Sequence, residues 1–273
     1  MHTDTSPRCT RYVALGDSST EGLDDPDGRG GFRGWADRFA DHLARANGGI
    51  QYANLAVRGR KTRQILEQQL APALAMRPDI ATVFSGTNDV VRRQVDLAQV
   101  LADIETMQAA LRSAGATVLT ITLPDLAAVM PLAARFAPRV ERLNEGLRAC
   151  SARTGTILVD LAQYPVASDP RLWSEDRLHA NTLGHTRIAA ALAQAVGLPG
   201  HGADWQLQLL EARARTTTQS IARDVAWLRS YLVPWLWRRA SGRSSGDGRV
   251  AKRPDLVFVP PADLSTKSLP SIS

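Results

Sequence analysis

Ser18 follows a short apolar run, Tyr12-Val13-Ala14-Leu15, inside the turn Gly16-Asp17-Ser18-Ser19. A serine hydroxyl on the turn that leaves a strand sits where an open α/β sheet keeps its chemistry. Gly-Asp-Ser is also ordinary turn chemistry, so the rest of the chain has to decide. Serine is a poor nucleophile at neutral pH and needs a base. His179 can be that base, and Asp176, three residues earlier, can hold its tautomer and stabilise the imidazolium. A tetrahedral oxyanion then needs donors aimed at it. The backbone N–H groups of Ser18 and Gly59 and the side-chain amide of Asn88 form the natural set. This is acyl-transfer chemistry, and it needs no metal or organic cofactor.

Competing readings of the same residues are weaker. Asp17 and Asp89 are expected to brace the motif loops. His2 and His201 fall in terminal or breaker segments, and His42 falls on the solvent side of an early helix. His185 has no carboxylate at comparable spacing and either lines the site or caps the structure. A zinc site from His179, His185 and Asp176 lacks the spacing of known zinc motifs. Asp24, Asp25 and Asp27 lie in a Gly/Asp-rich loop over residues 22–34 that lacks the terminal glutamate of a calcium loop, so it reads as a solvated turn. Leu172 and Trp173 are either a wall of the acyl pocket or plain packing.

These residues need a scaffold, and residues 11–197 supply one as alternating strands and helices. Short runs at Arg11–Leu15, Gln51–Asn54, Ile80–Ser85, Val118–Thr122 and Thr156–Asp160 read as strands. Between them apolar residues recur at three- and four-residue steps, as in Leu97, Leu101, Ile104, Met107 and Leu111, or Val140, Leu143, Leu147 and Cys150. Such alternation predicts an α/β fold with a five-stranded parallel sheet covered on both faces. Ser18, Gly59 and Asn88 each lie just past a strand. With strand 1 between strands 2 and 3 they meet at the switch point.

Four motifs occur in order: Gly-Asp-Ser at 16–18, Asn-x-x-x-x-Gly at 54–59, Gly-x-Asn-Asp at 86–89 and Asp-x-x-His at 176–179. In this the chain resembles the SGNH, or GDSL-type, hydrolase superfamily over residues 11–197. The resemblance implies a flavodoxin-like three-layer α/β/α sandwich and ester hydrolysis through an acyl-enzyme. It implies Ser18, Asp176 and His179 as the catalytic set and Ser18, Gly59 and Asn88 as the oxyanion hole. Two departures leave the reactive groups untouched: Ser19 replaces the leucine of the motif's usual name, and Ala180 replaces the proline often found after the histidine. Intracellular bacterial members are the most similar in general features.

Composition sets the remaining expectations. Apolar residues make up 44% and charged residues 22%, as in an ordinary globular protein. Two cysteines, Cys9 and Cys150, are too few for a disulfide framework and suit a cytoplasmic setting. No signal peptide and no bilayer-spanning stretch is visible. The net charge of +6 resides mainly in residues 238–253, where Arg238, Arg239, Arg243, Arg249, Lys252 and Arg253 face Asp247 alone. That placement predicts no nucleic-acid footprint on a folded face.

Three segments follow: a hydrolase domain over 1–200, a helical Trp/Arg-rich extension over 201–237 and a basic tail over 238–273, poorly ordered by its composition. The extension carries Trp205, Trp227, Trp235 and Trp237 among arginines. Docking on the core, contact with an anionic membrane surface and homodimerisation all remain open for it. The expected partner of the core is a small-molecule ester, with transfer of the acyl group to another alcohol as the alternative to hydrolysis.

Overall fold

The computed structural model describes residues 10–125, 127, 129–210, 227–234 and 245–261. Six strands form one sheet: β1 Arg11–Gly16, β2 Ile50–Asn54, β3 Ile80–Phe84, β4 Thr117–Ile121, β5 Ile157–Val159 and β6 Arg253–Val259. Their spatial order is β5-β4-β3-β1-β2-β6. The first five strands run parallel, with Tyr12 opposite Tyr52 on one side and Ile80 on the other. Strands β1 and β3 are buried almost throughout. That fits a sheet with helices on both faces, where strands read as continuous apolar runs.

Among the described residues seven α-helices accompany them: α1 Ser18–Glu21, α2 Gly34–Asn47, α3 Thr62–Ala75, α4 Thr87–Val90, α5 Leu97–Ser113, α6 Ala137–Thr154 and α7 Thr182–Ala195. Helix α2 packs on α7, while α3, α5 and α6 pack side by side. The apolar steps of the sequence are the buried faces: Trp35, Phe39 and Leu43 on α2, Ile104, Met107 and Leu111 on α5, Leu143 and Leu147 on α6. Tyr12 stacks on Tyr52 at 5.0 Å and meets the edge of Phe39 at 5.2 Å, tying β1, β2 and α2 together.

One expectation is corrected here. The sheet has six strands, not five, and the sixth is antiparallel, with Ile50 opposite Val259 and Gln51 opposite Phe258. It comes from residues assigned on composition to a poorly ordered tail. The prolines at 254, 260 and 261 and the nearby arginines mask a four-residue apolar run, Leu256-Val257-Phe258-Val259. Proline cannot donate to a ladder, so an edge strand is where it is tolerated. Pro254 falls where the register shifts between Tyr52 and Asn54. Lys252 anchors the entry to β6 by pairing with Asp37 at 3.0 Å and donating to the Arg33 carbonyl at 2.7 Å. Residues 211–226, 235–244 and 262–273, which hold most of the expected helical extension and tail, lie outside the described residues. Among the described residues no helix is long and apolar enough to cross a membrane.

Candidate active site

Ser18 is the first residue of α1, two residues past the end of β1, with Asp17 between. Asp17 caps this helix, its carboxylate accepting from the Ser19 N–H at 3.1 Å. The turn is clamped from below by Gln69, whose amide accepts from Gly16 N at 2.8 Å and donates to Gly16 O at 2.9 Å. Gly16 leaves no room for a side chain: a Cβ there would lie 2.1 Å from Thr20 Oγ1. Asn54 at the end of β2 donates to the Thr20 carbonyl at 2.9 Å and so holds α1 in place.

Asp176 and His179 lie in the turn that precedes α7. Asn181 caps that helix by accepting from Leu183 N and Gly184 N, and its amide donates to the carbonyls of Arg171 and Trp173. His179 Nδ1 is 2.5 Å from Asp176 Oδ2, and His179 Nε2 is 2.8 Å from Ser18 Oγ. The two residues are 161 positions apart in sequence, so the fold alone brings them together. The other Asp176 oxygen accepts from the N–H groups of Leu178 and His179 at 2.8 and 3.0 Å.

Burial works against charge on both partners, and their mutual interaction outweighs it. The Asp176 carboxyl is held below its ordinary value, because the hydrogen bond and charge of His179 and the bonds from Ser174 and the His179 N–H overcome desolvation. His179 is raised above its ordinary value by the Asp176 hydrogen bond and charge, with Asp24 and Asp17 adding to them. Asp17 is different. Fully buried, it is pushed up to about 6, despite the Ser19 N–H and the Asn88 amide that favour its charged form.

The expected oxyanion donors surround Ser18 unequally. Gly59 has φ +75°, a left-handed turn that suits glycine, and both Gly59 and Ser18 line the cleft. Among the described residues no protein acceptor takes the N–H of either. Asn88 sits on α4 beyond β3, and its amide donates to Asp17 Oδ2 at 2.9 Å and to the Arg60 carbonyl at 3.1 Å. Both its hydrogens therefore have protein acceptors in this state. Asp89 braces α3, accepting from Thr62 N at 3.0 Å and Thr62 Oγ1 at 2.8 Å. Both aspartates thus support the motif loops, as expected from their positions.

The Gly/Asp loop is less solvated than its composition suggests. Asp25 is fully buried and accepts from Gly34 N, Thr182 Oγ1 and two nitrogens of Arg38. Only Asp27 keeps the turn role, accepting from Arg29 N and Gly31 N. Asp24 reaches the site itself: Ser174 Oγ is 2.6 Å from Asp24 Oδ2 and 2.6 Å from Asp176 Oδ1. Spacing along the chain gave no hint of that meeting, because Asp24 and Ser174 are 150 residues apart.

His185 settles as a cap. It is buried, accepts from Trp35 N at Nδ1 and donates from Nε2 to the Leu23 carbonyl at 3.0 Å, and burial lowers it to about 4. Both of its ring nitrogens are thus engaged by backbone groups. Asp24, Asp176 and His179 do offer three ligand atoms within 4.8 Å of one another. His179 Nδ1, 3.9 Å from Asp24 Oδ2, is already bonded to Asp176.

The site opens into a cleft of about 430 Å³. From Ser18 it runs across the C-terminal ends of β3, β4 and β5, past Phe84, Ile121, Leu123 and Leu161, towards Ile188 and Trp205. Leu172 and Trp173 form part of its wall. Trp173 also braces its own loop by donating to the Ala167 carbonyl at 3.0 Å.

Known proteins share this architecture. TesA superposes with a TM-score of 0.57 at 20% identity, over 69% of this chain and 98% of its own. A lipase/acylhydrolase from Enterococcus faecalis gives 0.57 at 25% identity, over 68% and 95%. A catalytic mutant of Axe2, an acetylxylan esterase from Geobacillus stearothermophilus, gives 0.58 at 17% identity, over 76% and 97%. None of the curated proteins compared with the chain matches it. The sequence profile of the GDSL-like lipase/acylhydrolase family matches residues 14–187, a span that holds all four motifs. The chain is therefore an ester hydrolase belonging to the GDSL-like lipase/acylhydrolase family.

Proposed function

We propose that this ester hydrolase works through a covalent acyl-enzyme on Ser18, with His179 as base and Asp176 as its orienting acid. The observation that carries the reading is the continuous chain of hydrogen bonds Ser18 Oγ to His179 Nε2 to Asp176, at 2.8 and 2.5 Å. Ser18 Oγ attacks the ester carbonyl as its proton passes to His179 Nε2. The carbonyl oxygen becomes an oxyanion facing the N–H groups of Ser18 and Gly59. Asn88 joins them by exchanging one of its two present acceptors for the oxyanion. Collapse of the intermediate breaks the ester C–O bond, and Nε2 returns the proton to the departing alcohol. Water, deprotonated by the same nitrogen, then releases the acid and restores Ser18.

The cleft supports an apolar acyl group. It extends over three inter-strand spacings from β1 to β5, about 14 Å, with apolar side chains along most of that path. Aryl esters of simple fatty acids should therefore be turned over. Ser18→Ala should lower kcat by several orders of magnitude, on the order of 10⁶-fold, while leaving thermal unfolding unchanged. Substantial turnover by that variant would refute the mechanism. Product analysis with an added alcohol separates hydrolysis from transfer, since transfer yields a new ester in place of the free acid.

A further inference from the structure

The family match ends at residue 187, yet Trp227 and Tyr231 of the segment 227–234 contact the turn that carries Asp176 and His179. Trp227 and the cluster it belongs to meet three successive residues of that turn. Its indole N–H donates to the Asp176 carbonyl at 2.9 Å. The Arg177 guanidinium stands over its ring at 4.9 Å. Leu178 packs on the small apolar cluster that Trp227 forms with Met130 and Ala133. Arg177 needs such a hold, because its φ of +63° is a left-handed conformation unfavourable for a residue with a side chain. One turn further on, the Tyr231 hydroxyl donates to Glu175 Oε2 at 3.3 Å, and Tyr231 lines the cleft.

We infer that residues 227–234 are a built-in clamp on the catalytic turn, with Trp227 a positioning residue for Asp176 and His179 and Tyr231 a selector of the ester's alcohol part. The inference rests on the serine mechanism proposed above. Indole and guanidinium together fix the peptide between Asp176 and Arg177, and so the direction from which the carboxylate meets Nδ1. His179 must hand its proton to the departing alcohol, so the alcohol leaves on the His179 side of Ser18. Tyr231 stands on that side, bonded to Glu175 of the same turn. Its ring gives an aromatic alcohol a surface to lie on, and a methyl alcohol is too small to use it.

The test compares Trp227→Phe and Tyr231→Ala with the full-length protein, using aryl and methyl esters of the same fatty acid. Phenylalanine keeps one aromatic ring for Arg177 and the apolar cluster and loses the donor together with the smaller indole ring. Trp227→Phe should lower kcat about three- to tenfold, the range expected for one hydrogen bond. KM should change little, and the midpoint of the pH–rate profile should move down as the Asp176 contact loosens. Tyr231→Ala should raise KM for the aryl ester several-fold more than KM for the methyl ester, whatever fall in kcat the two esters share from the lost Glu175 bond. Unchanged kcat and pH midpoint in Trp227→Phe would overturn the positioning role. An equal effect of Tyr231→Ala on both esters would overturn the selecting role. Ser18→Ala, run in parallel, reads the mechanism separately: activity surviving there condemns the serine reading, whereas an inactive Ser18→Ala beside unaffected clamp variants condemns the clamp alone.

Discussion

At the scale of single residues, the surroundings push the proton affinities of the site's carboxylates in opposite directions. Asp176 is held below its ordinary value by the His179 it is bonded to, and His179 is raised in return. Under the proposed mechanism the base must be neutral to accept the Ser18 proton. Activity should therefore rise with pH through the His179 value, and the midpoint of kcat/KM should lie above 6.5, the ordinary histidine value. A midpoint at or below that value would mean that the Asp176 bond is not made in solution. Asp17 has the opposite bias. Its folded value of about 6 lies above the ordinary 3.8, so the folded state holds its proton more tightly than the unfolded chain does. That preference is fully present below 3.8 and is lost as pH rises through 6, leaving a buried charge at neutral pH. Asp17→Asn should stabilise the protein at pH 8 by up to about 3 kcal/mol relative to its effect below pH 4. It should also slow turnover, because the negative charge beside His179 helps the imidazolium form. Thermal melts at the two pH values, paired with rate measurements, check both effects.

At the scale of elements, positions past the ends of parallel strands were legible because strand and helix periods differ. The apolar runs at 11–15, 51–54 and 80–85 mark β1, β2 and β3, and each is followed by its motif residue. The Gly/Asp loop was not legible in the same way. Its composition is that of a solvated turn, whereas Asp25 is a buried junction between Gly34, Arg38 and Thr182. Nothing local reports that α7, some 150 residues later, closes over the loop. Asp25→Ala would strand the Arg38 guanidinium, which is only 16% exposed. Removing one partner of such a buried pair should cost about 3–5 kcal/mol, visible in denaturant unfolding. A loss below about 1 kcal/mol, the worth of an exposed pair, would show that water replaces the carboxylate. The β6 strand escaped notice for a related reason: Pro254 lies inside it and Pro260 and Pro261 follow it, and only the open edge of β2 gives Leu256–Val259 a partner.

At the scale of the whole molecule, strand order decides where chemistry and binding meet. Placing β1 between β2 and β3 brings Ser18, Gly59 and Asn88 to one rim, and the cleft runs on from there over β4 and β5. Each methylene buried along it is worth about 0.8 kcal/mol, or about fourfold. In a series from acetyl through butyryl and hexanoyl to octanoyl esters, kcat/KM should climb before levelling off where the chain outgrows the cleft. A series that falls from acetyl onward would mean that the cleft is closed to the acyl group. The sequence by itself determined the reactive residue types, their order and the α/β alternation, because short-range periodicity and turn chemistry are local and survive in one dimension. Only the tertiary structure decided that Asp24 reaches Ser174 beside the Asp176–His179 pair, that His185 serves the backbone, that both Asn88 hydrogens are already engaged and that Trp227 sits on the Asp176 turn. Those are contacts between residues tens to well over a hundred positions apart. Their existence depends on packing and strand order, which no local pattern encodes.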